Sequence, residues 1–311
     1  MKLGLRWTRR RIITVSCVCL AAAAIAAIFV LVPSMSGEPE VRPQVRSHSA
    51  ALLRPIESPR GQSSFLKVIT LNVAHGRGDG PNQLLRKGKT IRMNLDEIAA
   101  VLRREGPDIA AIQEADGPSV WSGKLNQVSY LAEKAGFAYS VQAEHVKGLK
   151  ISYGTGLLSN VALQDPLAVT FDASPPTFAK GFVVATVDWP GGPSMEIDVV
   201  SVHLDFSRKS VRERQVEDMI ETLSYRGRPL VVMGDFNCEW KSKESAVRAL
   251  AERLNLKACQ PASPLMDTFG LLRMRMDWVL ISTDLEFVTY EVLPDVISDH
   301  YAVLCEIRKT G

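Results

Sequence analysis

Short apolar runs alternate along most of the chain with segments whose apolar residues recur every three or four positions. The first pattern is typical of buried strands, and the second is typical of helices with one face against a core. The runs predict strands over 65–71, 108–114, 178–188, 195–204, 230–233 and 276–281, and the helical spacing predicts helices over 91–104, 124–135, 210–225 and 246–254. Strands and helices that alternate in this way predict an α/β fold.

The strand over 230–233 leads into Gly234-Asp235-Phe236-Asn237. In an extended chain, residues two apart point to the same side, so Asp235 and Asn237 are expected to project together. A carboxylate beside an amide suits magnesium or phosphate chemistry. Because Gly, Asp and Asn also favour turns, a simple turn is the alternative at this position.

Other predicted strands also begin or end at side chains that can do chemistry. These are Asn72, Glu114 and His203 at strand ends, Asp277 at a strand entrance, and the Asp299-His300 pair ahead of the last strand. Each has an ordinary explanation when taken singly, such as a cap, a turn or a structural histidine. Their recurrence predicts one shared site, because the ends of several strands of a sheet can converge on one place.

The N-terminal part has a different composition. Residues 12–32 form an apolar run without formal charge, which is long enough to span a bilayer and follows a basic flank. Residues 1–32 are therefore expected to be a membrane anchor or, alternatively, a cleaved signal sequence. Five prolines mark 33–63 as a Pro-rich flexible tether, and the folded domain is expected over 64–311.

The formal charge of +3 comes from the N-terminal flank. Five of the 37 basic residues precede residue 12, which leaves 32 basic against 34 acidic residues in the rest of the chain. A non-specific DNA-binding protein usually carries a basic excess, so this balance disfavours nucleic acid as the main partner.

The cysteines do not predict a disulfide scaffold. Cys17 and Cys19 lie in the apolar run, which leaves the odd set Cys238, Cys259 and Cys305 for the folded domain. An exported domain permits one bridge among these three, and buried free thiols are an equal alternative.

The ordered strand-end motifs resemble those of the endonuclease/exonuclease/phosphatase family, which includes deoxyribonuclease I-like nucleases, neutral sphingomyelinases and inositol-phosphate phosphatases. The resemblance runs from about Phe65 to the C-terminus. Its motifs are Leu71-Asn72, Ile112-Gln113-Glu114, Gly156-Leu157-Leu158-Ser159, Val202-His203-Leu204, Gly234-Asp235-Phe236-Asn237, Asp277-Trp278-Val279 and Ser298-Asp299-His300. It implies a four-layered α/β sandwich in which two mixed sheets pack face to face with helices outside, and it implies metal-dependent phosphoester hydrolysis.

The resemblance also implies roles for the site residues. Glu114 is expected to hold Mg²⁺, with Mn²⁺ as a substitute, helped by Asn72 and by Asp299. Asp235 and Asn237 are expected to orient the nucleophile and the phosphate, and His203 to stabilise the phosphate or protonate the leaving oxygen. His300 is the expected general base, oriented by Asp277, with Asp235 as the alternative base. Ala74 departs from the pattern, since some abasic-site nucleases of the family carry an acid there.

These expectations favour an exported, membrane-tethered, Mg²⁺-dependent phosphodiesterase or phosphatase that acts on a phospholipid or a small phosphoester. Its catalytic domain would lie in the periplasm or outside the cell, and the protein would be secreted if the N-terminal segment is cleaved. An extracellular or periplasmic nuclease that acts on DNA or RNA is the alternative. A non-catalytic binding module on the same fold is the second alternative.

Overall fold

Two seven-stranded sheets form the centre of the molecule in a computed structural model. The first sheet has the order β1-β7-β8-β9-β10-β12-β11 and comprises Glu40–Val41 (β1), Gln164–Thr170 (β7), Gly181–Asp188 (β8), Glu196–His203 (β9), Leu230–Asp235 (β10), Leu256–Ala258 (β11) and Asp277–Ser282 (β12). The second has the order β13-β14-β3-β4-β6-β5-β2 and comprises Arg46–Ser47 (β2), Phe65–Asn72 (β3), Ile109–Asp116 (β4), Tyr139–Gly148 (β5), Ile151–Ser159 (β6), Leu285–Val292 (β13) and Val303–Lys309 (β14). The structure describes residues 27–28, 30–48, 65–80, 87–189, 195–263 and 265–310.

Helices cover the outer faces of both sheets. They are Gly88–Glu105 (α1), Gln127–Ala135 (α2), Lys209–Arg226 (α3) and Ala246–Arg253 (α4). Helices α1 and α2 pack on the second sheet through residues such as Ile91, Leu95 and Leu131. Helices α3 and α4 pack on the first sheet through Met219 and Leu250. The expected four-layered α/β sandwich is therefore confirmed.

A third apolar layer fills the space between the two sheets. It includes Val68 and Ile109 from the second sheet and Val199, Val231 and Val279 from the first. Side chains alternate between the two faces of a strand, so every second residue counted from these apolar positions also faces inward. The inward series of four strands end at polar residues: Asn72 in β3, His203 in β9, Asp235 in β10 and Asp277 in β12.

These polar ends meet at one end of the sandwich. β9 and β10 run parallel with His203 beside Asp235, while β12 is antiparallel and starts with Asp277 opposite Asp235. The carboxyl end of β3 faces the same cleft, because Asn72 donates a hydrogen bond to Asp235 across the two sheets. We call this end of the molecule the mouth.

The N-terminal segment differs from the prediction. The flexible tether expected over 33–63 is wrong for residues 35–48, which form a strap along the open edge of the sandwich. β1 pairs with β7 of the first sheet and β2 pairs with β5 of the second. The prolines of this segment are compatible with short edge strands, where a missing N–H costs no ladder bond. The rest of the predicted tether, 49–63, lies outside the described residues.

The expected membrane segment lies mostly outside the described residues, which begin at residue 27. Within the part of the chain that the structure describes, no helix combines the length and the apolar composition that crossing a membrane requires. The described cysteines Cys238, Cys259 and Cys305 are free thiols.

Sequence reasoning missed strands with weak patterns. β7 contains Pro166 and exposes residues on both faces, and β13 is mostly half-exposed at the edge of its sheet. Neither shows the continuous apolar run or the clean alternation that identifies a strand. Both are held instead by pairing with a central strand.

His145 joins the two sheets near the strap. Its Nδ1 lies 3.1 Å from the hydroxyl of Thr170 in β7, and its Nε2 lies 2.9 Å from the hydroxyl of Thr155 in β6. Its carbonyl accepts a 2.8 Å hydrogen bond from the N–H of Gly37 in the strap. Burial is the main reason that the pKa of His145 falls to about 3, and the charge of Lys180 lowers it further. His145 is thus neutral in the native protein at neutral pH.

We expect His145 to make folding sensitive to mild acid. The unfolded chain binds a proton at this residue below about pH 6.5 and the native protein does not, so stability falls as pH decreases. Between pH 7 and pH 5 this residue should remove about 2 kcal/mol from the free energy of unfolding, given its depressed native pKa. Urea unfolding at both pH values measures the loss. His145→Gln should be less stable at pH 7 but should lose about 2 kcal/mol less on acidification. An equal loss in both proteins would contradict the assignment.

Candidate active site

Asp235 and Asn237 meet through a turn, and the extended geometry predicted for them is wrong. β10 ends at Asp235, and Asn237 has a positive φ of 50°. The backbone N–H of Asn237 donates to Asp235 Oδ1 at 2.9 Å, while its side-chain amide donates to the carbonyl of Leu204 at 3.0 Å. Phe236 enters the core behind them. The two polar side chains are therefore close because the chain folds back at this point.

Gly234 permits the approach of β10 to β9. A Cβ atom at this position would lie 2.0 Å from the carbonyl oxygen of Val202, a distance that no side chain tolerates. The glycine therefore brings Asp235 directly beside His203.

Asn72 connects the two sheets at the floor of the cleft. Its Nδ2 donates to Asp235 Oδ2 at 3.1 Å, and its Oδ1 accepts a 3.0 Å hydrogen bond from the N–H of Ala74. Both bonds hold the amide with its oxygen toward the loop after β3. Ala74 is buried and has a positive φ of 48°, so this loop turns sharply where the sequence departs from the abasic-site nucleases.

Glu114 reaches the cleft because β4 is irregular. Strict alternation would place it with Ala110 and Ile112, which face the helices. The register of β4 shifts between Ile112 and Ala115, and Glu114 adopts a φ of 51° within that shift. A β-bulge redirects a side chain in this way. The bulge therefore turns the Glu114 carboxylate toward the site.

Four basic side chains surround the Glu114 carboxylate. His75 Nε2 lies at 3.4 Å, Arg77 and His203 at 3.7 Å and Lys180 Nζ at 4.0 Å from its oxygens. Burial alone would raise the pKa of Glu114, but these charges outweigh burial and lower the pKa far below its ordinary range. Glu114 is therefore ionised, as a metal ligand has to be.

His300 and Asp277 form a buried dyad. His300 Nδ1–H donates to Asp277 Oδ2 at 2.7 Å, which directs Nε2 toward Asp235 Oδ2 at 3.8 Å. Burial would lower the pKa of His300, but the charges of Asp277 and Asp235 outweigh it and raise the pKa to about 10. Burial is also the main cause that raises the pKa of Asp235 to about 7. One proton is thus readily held or exchanged between His300 and Asp235.

His203 presents a hydrogen-bond donor to the cleft. Its Nδ1 lies 3.4 Å from Lys180 Nζ, and because an ammonium only donates, Nδ1 must be the acceptor. The ring proton is therefore on Nε2, which lies 3.5 Å from Asp235 Oδ2. Burial and then the charge of Lys180 lower the pKa of His203 well below its ordinary value. His203 is a neutral donor.

Asp299 is joined to Glu114 through Arg77. The guanidinium of Arg77 donates to Asp299 Oδ2 and also lies 3.7 Å from Glu114. The structure thus brings all eight predicted site residues into one cleft: Asn72, Glu114, His203, Asp235, Asn237, Asp277, Asp299 and His300.

Three further residues of the cleft were missed by sequence reasoning: His75, Arg77 and Lys180. His75 is held by a 2.7 Å contact between its Nδ1 and Asp116, whose other oxygen accepts from Trp121 Nε1 at 2.6 Å. The edge of its ring also packs on Tyr153. The signal was a His-Gly-Arg sequence directly after a strand end, which composition alone assigns to an ordinary loop. Lys180 is nearly fully buried, which its sequence context does not indicate.

Hydrogen bonds to Asp205 hold the loop after His203. Asp205 is buried and accepts from the hydroxyl of Thr177 at 2.7 Å. Its backbone N–H donates to Gln215 Oε1, and its carbonyl accepts from Arg212. Arg212 and Gln215 of helix α3 thus support this loop and do not touch the cleft.

The donor set of the cleft fits a hard divalent cation. Glu114 and Asp299 offer carboxylate oxygens and Asn72 offers an amide oxygen, the ligand types that Mg²⁺ prefers. Arg77 would share both carboxylates with the metal. Proximity alone groups Asp235, Asp277 and His300 as a second ligand set among the described residues. The 2.7 Å bond between His300 and Asp277 occupies the Nδ1 nitrogen of the ring and one carboxylate oxygen of this set.

The chain matches the model of the Endonuclease/Exonuclease/phosphatase family over residues 69–300. That range contains every residue of the cleft named above. No curated protein is similar enough in sequence to count as a relative.

Solved structures share the fold at low sequence identity. A protein of unknown function from Enterococcus faecalis is 17% identical with a TM-score of 0.63, and the match covers 79% of this chain and all of that one. An endonuclease/exonuclease/phosphatase from Beutenbergia cavernae is 20% identical with a TM-score of 0.59, over 79% of this chain and 72% of that one. The catalytic domain of human nocturnin, solved with a sulfate anion, is 17% identical with a TM-score of 0.58, over 86% and 97%. From the family match and the shared architecture, the chain belongs to the endonuclease/exonuclease/phosphatase family of metal-dependent phosphoesterases.

Proposed function

We propose that this protein is an exported, membrane-anchored, Mg²⁺-dependent phosphodiesterase or phosphatase that acts on a phospholipid or a small phosphoester. One observation carries the chemical part of the proposal: an ionised Glu114, a His300–Asp277 dyad and a neutral His203 donor all face one cleft. Residues 12–32 would anchor the protein, which places the catalytic domain in the periplasm or outside the cell. If the segment is cleaved, the protein is secreted.

The residues of the cleft have separate roles in the hydrolysis of a phosphoester. Mg²⁺ held by Glu114, Asn72 and Asp299 would polarise the phosphoryl oxygens. His203 donates its Nε2–H to a phosphate oxygen or to the leaving oxygen, and we assign Asn237, whose backbone bonds to Asp235, to orienting the phosphate. These donors are fixed before the substrate arrives, which makes them effective for charge that develops in the transition state.

Proton transfer from the attacking water belongs to His300 and Asp235. Asp277 holds the imidazole of His300 by its Nδ1 and leaves Nε2 free to take or return a proton. We assign the base to His300, which first has to give up the proton that its raised pKa of about 10 keeps on it near neutral pH. Asp235, 3.8 Å away, is the alternative base, since its raised pKa of about 7 lets it accept a proton near neutral pH.

The nuclease remains the second candidate, and two observations disfavour it. The chain after residue 11 has 32 basic and 34 acidic residues, so it has no overall positive field to follow a polyanion. Ala74 replaces the acid of the abasic-site nucleases. A non-catalytic binding module is disfavoured because it has no need of a buried proton-transfer dyad.

Glu114→Gln should weaken metal binding, because it removes the anionic ligand and keeps the shape of the side chain. The Mg²⁺ concentration for half-maximal activity should rise by at least about 10–100-fold. Loss of a residue that only hydrogen-bonds to a metal ligand already weakens metal binding by that factor, and loss of a direct ligand should cost no less. A Mg²⁺ titration of turnover measures the shift. Glu252→Gln, an exposed glutamate on helix α4, is the control and should leave the titration unchanged. An unshifted titration in Glu114→Gln would remove Glu114 from the ligand set.

His300→Ala should lower turnover on the order of 10²–10⁴-fold, the usual contribution of general acid–base catalysis. Adding Asp277→Ala should cost little more, because the two residues act as a unit. Single-turnover rates of both single variants and the double variant test this, with His48→Ala as the control for loss of a buried histidine far from the mouth. Multiplicative losses would assign separate roles, and an active His300→Ala enzyme would move the base to Asp235.

The protein should hydrolyse a phospholipid or a small phosphoester faster than duplex DNA at equal phosphate concentration, because the chain lacks a basic excess. Product release from detergent-dispersed phospholipid, a soluble phosphodiester and plasmid DNA, with and without Mg²⁺, gives the order. Efficient plasmid cleavage that is lost in Glu114→Gln, without action on the other esters, would establish the nuclease. No hydrolysis of any ester would favour the binding module.

A further inference from the structure

Several of the large exposed apolar side chains of the described residues lie at the mouth. Loops at this end expose an apolar rim that we define as Val120, Leu149, Phe206, Leu271 and Leu272, which are 49%, 68%, 62%, 83% and 59% exposed. Val120 lies against the β5–β6 turn, because its N–H donates to the carbonyl of Lys150. Phe206 follows the end of β9, and the two leucines lie in the loop that enters β12. All five residues of the rim therefore lie at the mouth.

Five other large apolar side chains are exposed in the described part of the folded domain. Leu265 lies in the loop that enters β12, and Val296 lies in the connection between β13 and β14. Met93 lies on the outer face of helix α1, Tyr225 at the end of helix α3 and Val288 on the edge strand β13. These positions are separate from one another, and isolated exposed apolar residues need no explanation. A set gathered at the end of the sandwich that holds the cleft is different, because it indicates a surface that is covered in use.

Basic residues accompany the apolar rim. Lys150 follows Leu149, Arg273 follows Leu272 and Lys209 follows Phe206 by three positions, and all three are exposed. Aliphatic tips next to lysine and arginine are typical of surfaces that enter the headgroup layer of an anionic bilayer. Nucleic acid is a weaker match for the rim, since aliphatic tips at its centre add no phosphate contact.

The strap brings the end of the apolar N-terminal run to this same surface. Met35 is 2% exposed and packs with Val146 and Tyr153, and its carbonyl accepts a 2.7 Å hydrogen bond from Lys147. A free tether of about 30 residues would allow the domain to move as far as ~100 Å from the end of the run at residue 32. Docking at Met35 leaves three residues, which span at most about 10 Å.

We propose that the mouth docks on a lipid bilayer, with the apolar rim in the headgroup layer and the strap holding the end of the anchor beside it. The inference rests on the proposed anchoring by residues 12–32. It means that the cleft opens onto the membrane surface at a fixed distance. A phosphoester in that surface then reaches Glu114 and His203 without leaving the headgroup layer.

Depth-dependent quenching tests the orientation in the full-length protein. A fluorescent amino acid is placed at Leu149, at Leu271 or, as the matched control, at Tyr225, which lies at the opposite end of the sandwich. The protein is reconstituted in vesicles of phosphatidylcholine and phosphatidylglycerol with or without brominated chains. Loss of fluorescence at Leu149 and Leu271, with none at Tyr225, supports the proposal. Equal quenching at all three positions, or none at the rim, overturns it.

The strap has its own variant. A Cβ atom on Gly37 would lie 2.3 Å from the carbonyl oxygen of Glu144, so Gly37→Ala should displace the strap from β5. Quenching at Leu149 should fall while the protein stays in the vesicle. Gly88→Ala is the control, because its nearest neighbour would be 3.5 Å away. Unchanged quenching in Gly37→Ala would show that the strap does not set the orientation.

Hydrolysis separates docking from the proposed function. The double variant L149D/L271D should lower turnover of vesicle phospholipid by about tenfold or more, because even one leucine withdrawn from an apolar phase has an effect of that size. Turnover of a soluble phosphodiester should be unaffected. Equal loss on both substrates would contradict docking. Rim quenching without hydrolysis of any ester would support docking and refute the phosphoesterase. Fluorescence at Leu149 that changes with protein density in unbrominated vesicles would show that a second copy covers the rim, which overturns the proposal.

Discussion

The compensation of buried charge at the mouth is the constraint on which the cleft depends. A carboxylate removed from water costs several kcal/mol unless charges and hydrogen bonds replace the lost hydration. Glu114 meets that cost with four basic side chains, and Asp235 meets part of it with hydrogen bonds from Asn72 and Asn237. Asn72 and His203 among these partners are themselves predicted site residues of the cleft. Loss of any one partner therefore weakens the compensation of a buried carboxylate, so structural and chemical roles overlap in the cleft.

The sandwich supplies the positions at which these charges can meet. The apolar layer between the sheets fixes which side of each strand faces inward. Because every second residue of a strand faces the same side, Asn72, His203, Asp235 and Asp277 also face inward, and they lie at the mouth. Glu114 is the exception, since its strand needs a bulge to turn the carboxylate inward. A carboxylate that faced the helices would have met the apolar side chains of α1 and α2. The strained backbone of Glu114, with its positive φ, therefore places the carboxylate in the cleft.

The strap and His145 connect the open edge of the sandwich to the mouth. His145 bonds to a threonine in each sheet, and its backbone carbonyl holds the strap at Gly37. Two residues earlier, Met35 packs on Tyr153, whose ring contacts His75 beside Glu114. A continuous set of contacts thus joins the N-terminal segment to the cleft, so the segment is part of the folded domain.

The sequence by itself determined the alternation of strands and helices, the four-layered family fold and the eight polar residues of the cleft. It did so because buried strands carry long apolar runs and because the motifs at their ends are local. Only the tertiary structure decided how those residues are presented. The bulge at Glu114 and the turn at Asn237 depend on contacts with neighbouring strands, which periodicity does not encode. His75, Arg77 and Lys180 look like loop and surface residues until the fold buries them against a carboxylate. The strap is held by two-residue strands whose partners lie about one hundred residues away, so its order comes from long-range pairing that no local pattern contains.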